Sequence, residues 1–147
     1  MGVFDTKISL PLRALADLLW SAIPAHYPNL RFVLVEGGVG WIASVLGLMD
    51  HWWKDHHRWM EPKLELAPST YFKRQFWATF EDDRAGILTR ELLGVDRLMW
   101  GSDYPHTEGT FPNSADQIFR DFDGVSRDER YLMVAGNAAK LYGLDGQ

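Results

Sequence analysis

Cysteine is absent from the 147 residues, and so are a long uncharged apolar run and an excess of basic side chains. Without cysteine the chain forms neither disulfides nor thiolate sites, so any metal ion must be bound by His, Asp, Glu or water. A membrane-spanning helix needs about 20 consecutive apolar residues, which the sequence does not offer. The formal net charge of -5 excludes the basic surface typical of nucleic-acid binding. We therefore expect a cytoplasmic protein that binds neither nucleic acid nor membrane.

The composition that remains is that of a packed globule. Of the 147 residues, 46% are hydrophobic and 14% are aromatic, which provides enough apolar surface for the core of one domain. Short apolar runs at 31–36, 75–80 and 97–100 alternate with segments of helical periodicity. Because parallel strands need long, usually helical crossovers, this alternation predicts an α/β fold with about three parallel strands and flanking helices.

Cap-forming residues mark the expected helix ends. Proline is expected to interrupt the helix that follows the first strand, leaving an irregular extension around Pro62 and Pro68. No linker composition divides the chain, so residues 1–147 are expected to form a single domain. The remaining signals are Ser9 before the first helix, Asp83 and Gly94 around a helix at 87–93, Ser114 and Ser126 in capping boxes, and Asn137 at the start of the last helix.

The segment MWGSDYPH at 99–106 ends an apolar run in an acid, a proline and a histidine. Side chains at the carboxyl ends of parallel strands point into a crevice, which is where such folds place their chemistry. Asp103 and His106 are therefore candidate catalytic residues. The alternatives are a turn-forming role for Asp103 and a plain surface position for His106.

Glu36 occupies the comparable place after the first apolar run, in a Glu-Gly-Gly turn. Its carboxylate can serve as an acid or a base, or can orient a ligand through hydrogen bonds. The alternative is a structural role, in which Glu36 caps the following helix by accepting its first N–H groups.

Five ordered blocks carry a family resemblance: VEGGVGWI at 35–42, PSTYF at 68–72, TFEDD at 79–83, MWGSDYPH at 99–106 and GNAAKLY at 136–142. Together they resemble the amidohydrolase-related family, which includes metal-dependent hydrolases and nonoxidative decarboxylases such as aminocarboxymuconate-semialdehyde decarboxylase. Several blocks in one order are far more specific than any single motif. The resemblance covers nearly the whole chain from about residue 10 onward.

The resemblance implies that the chain forms the C-terminal portion of a TIM (β/α)8 barrel, because a complete barrel takes about 250 residues and eight strands. The three apolar runs would be its last three strands. The family binds a divalent metal, zinc or manganese, through a His-x-His on the first strand, a histidine on the fifth and an aspartate on the eighth. Only the last has a counterpart, Asp103, so the metal site is expected to be incomplete in this chain alone.

Function is expected to follow from the same resemblance. Decarboxylase relatives often carry histidine where Glu36 stands, which favours a metal-dependent hydrolase of a small carboxylated or cyclic substrate. The alternatives are a nonoxidative decarboxylase of the same family and a noncatalytic barrel fragment that needs a partner chain. We assign Asp103, Glu36 and His106 as catalytic residues, Asp103 also as a metal ligand, and Trp41, Tyr104 and Glu81 as substrate contacts.

Association is the remaining expectation. Three parallel strands leave two open edges and an uncovered barrel face, which a second copy or a complementing N-terminal barrel half would cover. We expect the purified chain to form particles larger than its mass of 16.9 kDa. The cluster of Trp52, Trp53 and Trp59 is expected to pack against the barrel or a partner subunit, because clustered tryptophan on a polar segment is typical of interfaces.

Overall fold

The computed structural model describes residues 8–144, in which three short strands form one parallel sheet. The strands are β1 (Phe32–Leu34), β2 (Phe76–Phe80) and β3 (Leu98–Trp100), and they lie side by side in that order. Val33 lies opposite Trp77, and Thr79 lies opposite Met99. The predicted parallel α/β sheet is confirmed, although each strand is shorter than the apolar run that predicted it.

Helices connect and flank the strands, as parallel neighbours require. In the part of the chain that the structure describes, no helix is long and apolar enough to cross a membrane. The helices are α1 (Leu10–Trp20), α2 (Ile23–His26), α3 (Ile42–His56), α4 (Pro68–Gln75), α5 (Arg84–Leu88), α6 (Arg90–Leu93), α7 (Ser114–Asp121), α8 (Arg127–Tyr131) and α9 (Asn137–Tyr142), with a 3-10 turn at Val95–Arg97 and a π-helix at Leu132–Gly136.

The core lies between one face of the sheet and the helices. Phe76, Ala78 and Phe80 alternate along β2 toward this core and are almost completely buried. The ring of Phe76 stacks on Phe32 of β1 and on Phe72 of α4, with centroid separations of 4.6 and 5.8 Å. This aromatic stack joins the amino ends of two strands and one helix.

The irregular extension predicted after α3 is confirmed for residues 57–67, which include Pro62, and a helix that was not predicted, α4, follows it from Pro68. Pro68 stands in the first turn of α4, where its missing N–H has no intrahelical partner to lose and its fixed φ suits a helix start. The N–H and hydroxyl of Ser69 donate to the two carboxylate oxygens of Asp50, at 2.9 and 2.5 Å. Proline therefore starts a helix here, and the contact with Asp50 ties that start to α3.

Two predicted caps are confirmed. Asp83 caps α5 by accepting the N–H of Gly86, and Ser126 caps α8 by accepting the N–H of Glu129. The helix predicted at 87–93 is divided into α5 and α6 but ends at Gly94, as expected.

Two other predicted caps are wrong. Ser9 has helical backbone angles and makes no cap hydrogen bond, because a cap must stand outside the helix for its oxygen to reach the first free N–H groups. Ser114 lies inside α7, after the cap position Asn113, and its hydroxyl contacts Thr110 instead. The Ser-x-x-Gln pattern alone therefore misplaced the start of α7 by one residue.

The three tryptophans of the predicted cluster differ in their burial. Trp53 packs against the core, donates its indole N–H to the carbonyl of Leu64 at 2.9 Å and stacks on His57. Trp52 and Trp59 are exposed. The expected packing against the protein's own core therefore holds for Trp53.

Glu129 links α8 to α6 through Arg90, whose Nη2 lies 3.0 Å from Glu129 Oε2. The hydrogen bond from Arg90 is the main cause that lowers the pKa of Glu129 below its ordinary value of 4.5. A carboxyl whose pKa is lowered by folding stabilises the folded state above its ordinary pKa, and this contribution is lost as pH falls through the lowered value. Replacing Glu129 should therefore lower the stability of the fold at neutral pH and not in strong acid.

We expect Glu129→Gln to reduce the free energy of unfolding at neutral pH, with the difference from the wild type shrinking as pH falls below the ordinary pKa. Urea unfolding followed by circular dichroism across this range measures it. A difference that stayed constant from neutral pH into strong acid would contradict the assignment, because it would then not depend on the charge of Glu129.

Candidate active site

The carboxyl ends of the three strands lie on one edge of the sheet and carry the residues assigned from the sequence. Glu36 follows the end of β1, Glu81 follows β2 directly, and Asp103 follows β3. The N–H of Gly101 donates to the carbonyl of Phe80 at 2.9 Å, which extends the pairing of β2 and β3 toward this edge. The parallel sheet therefore brings three acidic residues from distant parts of the chain to one side of the molecule.

A cleft of about 480 Å³ opens at this edge. Three predicted residues line it, namely Glu36, Trp41 and Glu81. The indole N–H of Trp41 donates to the carbonyl of Gly37 at 2.7 Å, so one aromatic wall of the cleft is held in place. Sites for small molecules typically enclose roughly 300–1,000 Å³, and the size of this cleft suits such a ligand. Further carboxylates in its lining come from Asp82, Asp83 and Glu108.

Asp83 joins the two loops that form the walls of the cleft. Its Oδ2 accepts the N–H groups of Val39 and Gly40 at 2.6 and 2.8 Å, and its Oδ1 accepts the N–H of Gly86 at 2.8 Å. A Cβ at Gly40 would lie only 2.8 Å from Asp83 Oδ1, so a larger residue there would displace the carboxylate. The sequence interpretation gave Asp83 only its helix cap. The glycine-rich run at 37–40 is the signal for the second role, because N–H groups in such a turn need an acceptor.

Glu36 is exposed at this cleft and does not cap α3. The cap position of α3 is Trp41, which makes no side-chain cap bond, and the N–H groups just before the helix go to Asp83. The alternative interpretation of Glu36 as a helix cap is therefore wrong. The backbone N–H of Glu36 donates to Thr79 Oγ1 at 3.0 Å, which ties the turn to β2 and leaves the carboxylate on the cleft.

Asp103 and His106 form a pair in the loop after β3. His106 Nδ1 lies 3.4 Å from Asp103 Oδ2, and the backbone N–H of His106 donates to the carbonyl of Asp103 at 2.8 Å. The side chain of Asp103 is 19% exposed and that of His106 is 62% exposed. A Cβ at Gly109 would lie 2.7 Å from the carbonyl oxygen of Ser102, so the loop closes tightly on itself there. The loop thus orients an imidazole with a half-buried carboxylate.

Tyr104, in the same loop, contacts Phe111. It is largely exposed, and its ring lies edge-on against Phe111 with a centroid separation of 4.7 Å. Asp103, Tyr104 and His106 are not among the residues that line the cleft, whereas Glu108 of the same loop is. The structure therefore divides the predicted residues into a cleft group and a loop pair at the same sheet edge.

Backbone conformation singles out two of the catalytic candidates. In residues 8–144 the non-glycine residues with positive φ are Ala22, Glu36 and Asp103, and the values for the last two are 60° and 55°. Left-handed backbone is uncommon for residues with a side chain, and it is concentrated at functional sites. Both Glu36 and Asp103 follow the end of a strand, so the conformation supports a functional role for each.

The donors in the described part of the chain do not complete a divalent-metal site. Asp103 offers a carboxylate oxygen and His106 an imidazole nitrogen, but no group of three or more His, Asp or Glu side chains in residues 8–144 is arranged to hold an ion. Protein sites for zinc typically take three or four ligands from the protein. The described residues therefore do not fit a complete metal site.

Three parallel strands with flanking helices are also found in a family of barrel enzymes. A sequence model of the amidohydrolase family matches residues 4–144, so this chain belongs to that family. The solved structure of 5-carboxyvanillate decarboxylase LigW from Sphingomonas paucimobilis is 26% identical, with a TM-score of 0.73 over 88% of this chain and 38% of that one.

Two further solved structures share the fold. Dihydroxybenzoic acid decarboxylase from Polaromonas sp. JS666, with bound manganese and the inhibitor 2-nitroresorcinol, is 22% identical with a TM-score of 0.69, over 93% of this chain and 40% of that one. For 2,6-dihydroxybenzoate decarboxylase from Rhizobium the identity is 19% and the TM-score 0.70, over 92% of this chain and 41% of that one. This chain therefore spans about two fifths of the length of these relatives. Its three parallel strands and flanking helices are the predicted C-terminal portion of a TIM barrel.

Proposed function

We propose that this chain carries the C-terminal part of the active site of a nonoxidative decarboxylase, acting on a small aromatic carboxylate of the hydroxybenzoate class. The observation that carries the proposal is the 26% identity to 5-carboxyvanillate decarboxylase over 88% of this chain. The two dihydroxybenzoate decarboxylases with the same fold agree with it. The sequence alone favoured a hydrolase over a decarboxylase, and the similarity to these decarboxylases reverses that preference.

Decarboxylation needs a site that holds an aromatic ring and returns a proton to it. The carbon–carbon bond to the carboxylate breaks, carbon dioxide leaves, and the ring carbon takes up one proton. Trp41 offers the ring a fixed aromatic wall. Proton transfer is assigned to Glu36, whose carboxylate lines the cleft, and His106, oriented by Asp103, is the second group at this edge that can carry a proton.

Asp103 is proposed to contribute one oxygen ligand to a divalent cation in the complete barrel. A manganese ion is bound in the Polaromonas relative, and carboxylate oxygen suits manganese. The remaining ligands would come from a second chain or from the part of the barrel that this chain does not span. The open edges of β1 and β3 are where that part would pair, because unpaired strand edges bind further strands.

A metal-dependent hydrolase is the second candidate, and Glu36 is the observation that favours it. A carboxylate at this edge of the cleft can activate water for attack on an amide or ester as a general base. The same cleft would then hold a small carboxylated or cyclic substrate.

The test measures assembly, metal and turnover together. Native mass spectrometry of the chain with added manganese reads subunit number and bound metal, and chromatography then follows 5-carboxyvanillate, 2,6-dihydroxybenzoate and a set of lactones and amides. We expect an assembly that holds metal and releases carbon dioxide from an aromatic acid. Asp103→Ala should lose the metal, Glu36→Gln should slow turnover about 100-fold, and Asp116→Asn, at an exposed position on α7, should change neither.

Each other outcome contradicts the proposal in a different way. Cleavage of a lactone or amide without carbon dioxide release would establish the hydrolase. A monomer that binds no metal and turns over nothing would establish the noncatalytic fragment.

A further inference from the structure

We propose that the opposite edge of the sheet carries a binding site for a small polyanion, such as a phosphate ester or a di- or tricarboxylate. A second cleft, of about 590 Å³, lies at the amino ends of the strands. Arg31, Gln75 and Arg97 each stand directly before a strand and line it. This site is separate from the candidate active site and does not depend on the proposed decarboxylase.

The charge of this cleft is opposite to that of the whole chain. Four cations line it, Arg31, Arg74, Arg97 and Lys140, against one carboxylate, Asp96. The chain as a whole has a net charge of -5. Positive groups gathered in a concave surface focus their field and attract anions. An acidic protein that concentrates three net positive charges in one cleft has the electrostatics of a polyanion site.

Three of these cations have no anionic partner among the residues that the structure describes. Asp96 pairs with Arg97 at 3.0 Å. Among residues 8–144, no ion pair joins a carboxylate to Arg31, Arg74 or Lys140. The positive charge left over is therefore available to a ligand.

Two of the guanidinium groups are already held in place. The guanidinium of Arg97 lies over the ring of Trp77, 4.6 Å from its centroid. Arg74 donates from Nε and Nη2 to Gln75 Oε1 at 2.9 and 2.7 Å. Because arginine has five N–H donors, both groups keep donors for a ligand. Side chains ordered before binding lose less entropy on binding, which favours affinity.

Buried amides give the cleft a rigid floor. Gln75 and Asn137 are almost completely buried. Gln75 Nε2 donates to two carbonyls of the 27–30 loop, at 2.8 and 3.1 Å. Asn137 Nδ2 donates to the carbonyls of Val95 and Leu98, at 2.7 and 2.8 Å. The loops that carry the cations are thus fixed to the strands and to α9.

The chemistry of the donors sets the class of ligand. Guanidinium groups present paired N–H donors that match the oxygens of phosphate and carboxylate. The cleft volume lies within the roughly 300–1,000 Å³ of small-molecule sites. Pyrophosphate and citrate are therefore suitable probes, because the first carries only phosphate groups and the second offers carboxylates.

The test is calorimetric titration of the 147-residue chain with each probe at an ionic strength of about 0.15 M, where exposed charges are largely screened. We expect saturable binding of one molecule per chain for at least one probe. The probe that binds shows whether the site takes phosphate or carboxylate ligands. Arg31→Gln and Lys140→Gln should each weaken binding about tenfold, the loss that corresponds to one hydrogen bond to a charged group. Lys54→Gln, at an exposed position on α3 outside the cleft, should weaken it less than about twofold.

The indole N–H resonance of Trp77 provides a second readout, because it places the ligand beside Arg97. It should shift in proportion to the fraction of chain that has bound the probe. Absence of saturable binding would overturn the proposal. So would an equal loss in Lys54→Gln, or a Trp77 resonance that does not move, because the binding would then be nonspecific or lie elsewhere.

Discussion

Replacing Asp83 by alanine is expected to lower the free energy of unfolding by about 3 kcal/mol, because backbone N–H groups that lose a charged acceptor are left without a partner. Three such groups bond Asp83, those of Val39, Gly40 and Gly86. Alanine offers none of these bonds. A loss of this size is large for one substitution and belongs to the class of broken hydrogen-bond networks.

Urea unfolding of Asp83→Ala measures this loss, and Asp82→Ala is its matched control. Asp82 is the neighbouring acid and is exposed, so its loss should change stability by less than about 0.5 kcal/mol. Asp83→Asn keeps one carbonyl acceptor and should fall between the two. Equal effects at Asp82 and Asp83 would contradict the network, and so would unchanged hydrogen exchange at the Val39 and Gly40 amides.

The same hydrogen bonds hold the two loops of the candidate site together. Asp83 lies after β2, whereas two of its partners lie in the turn after β1 that also carries Glu36. Loss of its carboxylate would therefore release one wall of the cleft together with Glu36. A functional effect of Asp83 would be indirect, through the position of Glu36.

The sheet was predictable because its signals are local. The runs around β1, β2 and β3 are short, apolar and separated by helical segments, and each produced a strand. The cap of α5 by Asp83 is also local, since donor and acceptor stand three residues apart. Helix α4 was not predictable from Pro68. A proline in the interior of a helix interrupts it, whereas a proline in the first turn favours the start of a helix. Only the contact between Ser69 and Asp50 of α3 shows which case applies.

The sequence offered Glu36 and Asp103 as candidate site residues but did not indicate how they are arranged in space. Glu36 and Asp103 stand after strand ends, and their left-handed backbone agrees with a functional role. Their separation into a cleft group and a loop pair depends on how the loop at 102–110 folds back, with Thr110 N–H bonded to the carbonyl of Ser102. That closure depends on a glycine at 109 that fits against the loop backbone, and single-residue patterns do not encode such a contact.

Phe76→Ala is expected to lower the free energy of unfolding by about 4 kcal/mol, because truncating a buried phenylalanine removes its apolar contacts and leaves a cavity. Phe76 begins the central strand β2 and is fully buried. Its ring lies between Phe32 and Phe72, with interplanar angles of 19° and 13°. Loss of the ring therefore separates β1, β2 and α4 at one point.

Chemical unfolding of Phe76→Ala measures this effect. Two further variants separate the loss of a buried ring from the loss of any phenylalanine. Phe119→Ala makes the same change at a residue that is 77% exposed, and it should change stability by less than about 0.5 kcal/mol. Phe76→Leu keeps most of the apolar volume and should lose less than about 1.5 kcal/mol, well below the loss expected for alanine. If Phe76→Ala and Phe119→Ala had equal effects, burial of the Phe76 ring in the aromatic stack would not be what stabilises the packing of β1, β2 and α4.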